Sequence, residues 1–134
     1  MAKQLVRYIS SDCGWGCMIR CSQMLLANTL TRVFSSSTNQ ASILSLILDT
    51  SDIKTSPFSI HNICDYGRTL MNKEPGDWYG VNSIAQVLTE IFKSSNSKQY
   101  KHKDMEEVED DTTAEKVFEK LSVLTFQEGG IFMD

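Results

Sequence analysis

The run Ser11-Asp12-Cys13-Gly14-Trp15-Gly16-Cys17-Met18-Ile19-Arg20 delivers a cysteine from a glycine-punctuated turn to the head of a long apolar stretch. That arrangement suits a nucleophile. A thiol at a helix N-terminus lies beside unpaired backbone N–H groups and the positive end of the helix dipole, both of which favour the thiolate. A free thiol with pKa near 8.5 is only about 3% ionised at neutral pH, so such help matters for attack on a carbonyl carbon. Gly14 and Gly16 let the backbone take turn angles and approach a substrate closely. The backbone N–H of Cys17 points where a tetrahedral oxyanion would develop, as one donor of a two-donor hole. The second donor has no clear candidate; Tyr8 is near in sequence, but its spacing does not single it out.

A cysteine hydrolase also needs an imidazole within reach of the thiol. Only His61 and His102 are available. His102 falls in a charged stretch, where a solvated loop residue is the simpler reading. His61 is the better base on chemistry alone, although a histidine in the first turn of a helix more often makes a structural hydrogen bond. Cys13, Cys17, Cys21 and Cys64 could in principle hold a zinc ion, but three ligands in series entering one helix make a closed tetrahedron hard to build. No metal or other cofactor is therefore expected. Cys21 and Cys64, set among apolar neighbours, read as small buried hydrophobes.

The elements that must position these groups can be traced along the chain. From Cys17 to about Val33 there is no proline or glycine, and apolar residues occur nearly all round a helical wheel, which predicts a helix buried on most sides. The run Ser35-Ser36-Ser37-Thr38-Asn39 breaks it. Ile43 to Leu48 is short and apolar, helix or strand. Ser59 then caps a helix through Ile60, Ile63, Cys64 and Tyr66, with Gly67 as its C-terminal stop. The loop Asn72 to Asp77 leads into Trp78-Tyr79-Gly80, after which Asn82 or Ser83 caps an amphipathic helix carrying Ile84, Val87, Leu88, Ile91 and Phe92. Residues 93–111 read as a solvated, mobile insertion, first lysine-bearing and then acidic. Thr112 and Glu115 form a capping box for a short helix with Val117, Phe118 and Leu121, and Ile131-Phe132-Met133-Asp134 resembles the beginning of a strand. The expectation is the front part of a larger protein.

With 134 residues, 41% hydrophobic, 22% charged and a net charge of −4, the chain fits one soluble globular domain of ordinary size. Its charge offers no electrostatic reason to bind nucleic acid or an anionic membrane. No apolar run approaches the roughly 18 residues of a membrane span, and the N-terminus lacks a secretory core. With three of the four cysteines packed between 13 and 21, reduced thiols and a cytosolic location are expected.

Ser11 to Met24 closely resembles the nucleophile motif of the autophagins, the autophagy-related protein 4 family of cysteine proteases. Two further blocks, Phe58-Ser59-Ile60-His61-Asn62-Ile63 and Asp77 to Leu88, resemble the family in the same order and at similar spacing, so the likeness covers most of residues 10–92. It implies an α+β, papain-like fold with Cys17 as catalytic nucleophile at the start of the central helix. It also implies the partner: the ubiquitin-like autophagy-related protein 8, cut after its C-terminal glycine, and its phosphatidylethanolamine conjugate, from which it is released. Trp78 matches the family tryptophan over the active-site groove, which would admit only a thin glycine-ended tail. A plain anchoring role is the alternative for Trp78, as a non-catalytic modifier-binding module is for the chain. The family base and its orienting residue lie in an Asp-Pro-His motif downstream of Trp-Tyr-Gly, and these 134 residues contain no such motif. Tyr8 does not match the family's oxyanion tyrosine. Val81 replaces a frequent proline, and His61 matches a family histidine that is not the catalytic one.

Overall fold

The computed structural model describes residues 9–34 and 40–102. Within them the chain forms four helices: α1 (Cys17–Val33), α2 (Gln40–Ser45), α3 (Ile60–Met71) and α4 (Val81–His102). The most extensive packing is between α3 and α4, and α1 touches all three others. No strand occurs among the described residues. Residues 112–134, with the capping box and the expected strand start, lie outside them, as does the serine break.

Helix α1 starts and stops where the loss of glycine and the approach of the serine run place it. Ile19, Gln23 and Leu30 recur at helical spacing and are buried. The expectation of burial on most sides does not hold among the described residues: Met24 is 63% and Leu25 68% exposed. Only one face of α1 meets α2, α3 and α4, so the remaining apolar positions are left facing outward. The apolar segment after residue 42 resolves as the end of α2 followed by turns, with Ile43 and Leu46 buried.

Ser59 caps α3 as expected. Its hydroxyl accepts the Asn62 N–H at 3.2 Å, satisfying an orphan donor of the first turn. Gly67, by contrast, is not the helix stop. Helix α3 runs through it to Met71 and ends on Asn72, whose φ of 54° is left-handed and whose N–H donates to the Arg68 carbonyl at 3.0 Å. Glycine is required at 67 for a different reason. A Cβ there would lie 1.9 Å from the hydroxyl of Tyr79, so the bare helix backbone forms the notch that receives that ring.

Helix α4 begins at Val81, ahead of the expected caps Asn82 and Ser83, with Ile84 N–H bonded to the Gly80 carbonyl at 3.1 Å. Val87, Ile91 and Phe92 form its buried face, and Phe92 meets Phe58 with ring centroids 5.1 Å apart. The helix does not give way at Lys93 to an insertion but continues to His102. Lysine, glutamine and serine there carry no apolar stripe, yet none of them breaks a helix already nucleated upstream. Residues 103–111 lie outside the described part.

Candidate functional site

The turn before α1 is closed by short backbone bonds. The Asp12 carbonyl accepts the N–H groups of Trp15 at 3.3 Å and Gly16 at 2.8 Å, and Ser11 Oγ accepts the Cys13 N–H at 3.1 Å. Gly14 has φ 84°, a left-handed conformation that other residues rarely adopt. A Cβ on Gly16 would sit 2.6 Å from the Asp12 Cβ, so glycine at 16 is a steric necessity. The Trp15 indole N–H donates to the Ser11 carbonyl at 2.9 Å while its ring packs on the core. Together these contacts place Cys17 as the first residue of α1, with its side chain exposed.

The first helical bond of α1 runs from Arg20 N–H to the Gly16 carbonyl at 2.9 Å. The amides of Cys17, Met18 and Ile19 therefore lie outside the ladder, as the first amides of a helix must. Among the described residues no side chain caps them. Negative charge developing on a carbonyl oxygen held there would meet unpaired N–H donors and the positive end of the helix dipole.

Arg20 ties this turn to the rest of the molecule. Its Nε donates to Asp12 Oδ2 at 2.6 Å, and Nη1 and Nη2 each donate to one oxygen of Asp49 at 2.8 Å, a forked pair. Nη1 also reaches Gln23 Oε1 at 3.2 Å, and the Gln23 amide donates to the Phe58 carbonyl at 2.7 Å. The Arg20 hydrogen bonds hold the carboxyls of both Asp12 and Asp49 below the ordinary carboxylate range, and the Asp49 and Asp12 bonds in turn raise Arg20. Sequence reading missed Arg20 as a structural hub. Asp12 lies within its own motif and could have been found, whereas Asp49 is 29 residues away and carries no pattern linking it to Arg20.

His61 is exposed and lines an open cleft of about 450 Å³ together with Asp12, Arg20, Asp49, Cys64 and Asp65. Cys17 does not line that cleft. The structure therefore groups His61 with the Arg20 pair rather than with the thiol. The side chain of His102 lies outside the described residues.

The four cysteines occupy distinct surroundings. Cys64 is buried, and loss of hydration pushes its thiol up to about 11. Cys21 is exposed rather than buried, because it falls on the outward face of α1 one turn above Cys17. The neighbouring Cys17 raises its pKa, since a second charge beside the first is disfavoured. Cys13 is exposed in the turn. Among the described residues no three His, Cys, Asp or Glu side chains converge to hold a metal ion. No helix among them is long and apolar enough to cross a membrane.

Trp78 is 56% exposed, while the adjacent Tyr79 is fully buried. The sequence pair thus splits into one exposed ring and one buried ring.

The peptidase C54 catalytic domain model matches residues 3–128. The chain is 41% identical over 88 residues to the cysteine protease ATG4 of Candida albicans, covering 62% of this chain and 19% of that protein. It is 39% identical over 114 residues to a probable cysteine protease atg4 of Sclerotinia sclerotiorum, covering 77% and 25%. A probable cysteine protease ATG4 of Pichia angusta is 34% identical over 96 residues, covering 66% and 19%. The chain spans about a fifth to a quarter of the length of these curated relatives.

Proposed function

Because this chain belongs to the peptidase C54 family, that of the ATG4 cysteine proteases, we propose that it carries the nucleophile half of an autophagy protease with a papain-like fold. Cys17 is the nucleophile. The observation that carries this reading is the placement of its exposed thiol at the first position of α1, beside amides that no side chain caps. The Cys17 sulfur adds to a glycyl carbonyl carbon, and the oxyanion formed is met by the Cys17 N–H. The carbon–nitrogen bond then breaks, the amine leaving with the proton given up by the Cys17 thiol, and water hydrolyses the thioester to the free carboxyl group while returning a proton to the sulfur. The resemblance to the autophagins supports a substrate ending in glycine, the ubiquitin-like autophagy-related protein 8 and its phosphatidylethanolamine conjugate. It also supports a cytoplasmic site of action. The exposure of Trp78 supports a role in contacting that glycine tail. The base belongs to an Asp-Pro-His sequence in the family pattern, and His61 is not its counterpart.

The test is a modifier whose C-terminal glycine carries a vinyl ester electrophile. A single adduct on Cys17, abolished in Cys17→Ser, is expected, because labelling needs only recognition and a thiol. An adduct on Cys13 or Cys21 instead, or none on the wild-type chain, would refute the assignment. The 134-residue chain by itself should cleave the precursor at least about a thousandfold more slowly than a full-length relative, since the triad base contributes that much or more.

A further inference from the structure

Trp78 sits on a loop fixed from three sides. Pro75 and Gly76 occupy the middle of a four-residue turn, closed by the Asp77 N–H to the Glu74 carbonyl at 3.0 Å. Gly76 has the φ of 100° that the third place of a type II turn requires. The Asp77 carboxylate accepts the Glu74 N–H at 2.7 Å, bracing the turn from the opposite direction. This brings residues 73 and 78 together across it. The Lys73 ammonium donates to the Trp78 carbonyl at 2.8 Å, and the same nitrogen lies 5.5 Å from the centroid of the Tyr79 ring. Tyr79 is in turn fully buried, with its hydroxyl in the notch left by Gly67.

One lysine thus makes both contacts. A hydrogen bond to the carbonyl of an exposed residue stabilises the fold little, because water can replace it. Its effect is on freedom: with the Trp78 carbonyl held and the next ring wedged into α3, the backbone of the exposed tryptophan has little left to lose on binding.

We propose that Lys73 is a positioning residue for Trp78, clamping its carbonyl so that the exposed indole is presented ready to contact the glycine tail of a ubiquitin-like modifier. The proposal rests on the reading that Trp78 contacts substrate. Without the clamp, the modifier's binding energy must also order the loop, so affinity falls by about threefold to fivefold, as an exposed charge-assisted bond and cation–π contact would give.

The experiment uses the 134-residue chain labelled with 5-fluorotryptophan, which reports Trp15 and Trp78 separately by 19F NMR, together with the affinity for the glycine-ended modifier. In Lys73→Met the Trp78 signal should move and sharpen towards that of a free side chain while the Trp15 signal stays. Affinity should fall about threefold to fivefold with the melting temperature lowered by no more than about 4 °C, and Lys73→Arg, which keeps charge and donors, should restore both readouts. Trp78→Ala should weaken binding at least about tenfold. If Trp78→Ala leaves affinity unchanged, the substrate reading fails and takes the proposal with it. If Trp78→Ala weakens binding but Lys73→Met neither moves the Trp78 signal nor lowers affinity, the clamp alone is overturned.

Discussion

Replacing Gly67 by alanine pits helix propensity against packing at one atom. In an exposed helix interior the change would stabilise by about 1 kcal/mol, because alanine loses less backbone freedom than glycine. Here the new Cβ would meet the Tyr79 hydroxyl at 1.9 Å, Cζ at 2.8 Å and Cε1 at 3.1 Å. The hydroxyl falls roughly 1.5 Å short of van der Waals contact, and Tyr79 is fully buried, so the ring has no open space to enter. Overpacking of this severity costs about 3 kcal/mol. The net expectation is destabilisation by about 2 kcal/mol, or roughly 6–10 °C in melting temperature for a chain of this size. A second substitution isolates the cause. Among the described residues the Tyr79 hydroxyl is buried without a hydrogen-bond partner, its polar neighbour being the weakly bonding Cys64 thiol. Tyr79→Phe therefore removes the clashing atom at little cost, within about 1 kcal/mol of wild type, and spares a stranded polar group. In the double variant the ring needs to yield only a few tenths of an ångström, so at least half of the loss should return. Urea or thermal unfolding of the four proteins, treated as a double-mutant cycle, gives the coupling directly. A Gly67→Ala protein more stable than wild type, or a double variant no better than Gly67→Ala, would refute the notch as the reason for glycine.

Two further outcomes follow from the charges around Cys17. Under native conditions iodoacetamide should modify Cys17 ahead of Cys21 and leave Cys64 last, since Cys17 raises Cys21 and burial pushes Cys64 up to about 11. Cys17→Ser should then make Cys21 react faster than it does in wild type; mass spectrometry showing it equally slow would defeat the coupling argument. Arg20→Met should lower the urea midpoint at neutral pH, with a gap from wild type that closes in acid. The sign follows from Asp12 and Asp49, which Arg20 holds below their ordinary 3.8. Their contribution is complete above that value and is lost as pH falls through the depressed one. A gap of the same size at about pH 7 and about pH 2.5 would show that Arg20 acts without its carboxylates.

What could be read without coordinates was local. Ser59 announces a cap through its own hydroxyl, and the start of α1 is set by glycines adjacent to Cys17. Gly67 could not be resolved in this way, because glycine marks both a helix end and a close approach. Only Tyr79, distant in sequence and adjacent in space, decides between them. The same holds for Arg20, whose partner Asp49 belongs to another loop. Composition misled at the end of α4, where polar residues are tolerated once the helix is running. It also misled on α1, whose apolar circumference predicts burial that the described residues supply on one face only.

The contrast between the two helix starts bears on chemistry. Ser59 closes the first turn of α3 by occupying the Asn62 amide with its hydroxyl. A serine or aspartate at the same place before α1 would add stability, typically about 1 kcal/mol, and would do so by filling the amides that the proposed mechanism reserves for an oxyanion. Gly16 provides no such side chain, and Asp12 leaves no room for one. The first turn is instead braced from the side, by Arg20 between Asp12 and Asp49, without touching the amides of Cys17, Met18 and Ile19. A helix built for stability alone would be capped as α3 is; the open start of α1, held by Arg20 and its two carboxylates, is what the proposed role of Cys17 as nucleophile requires.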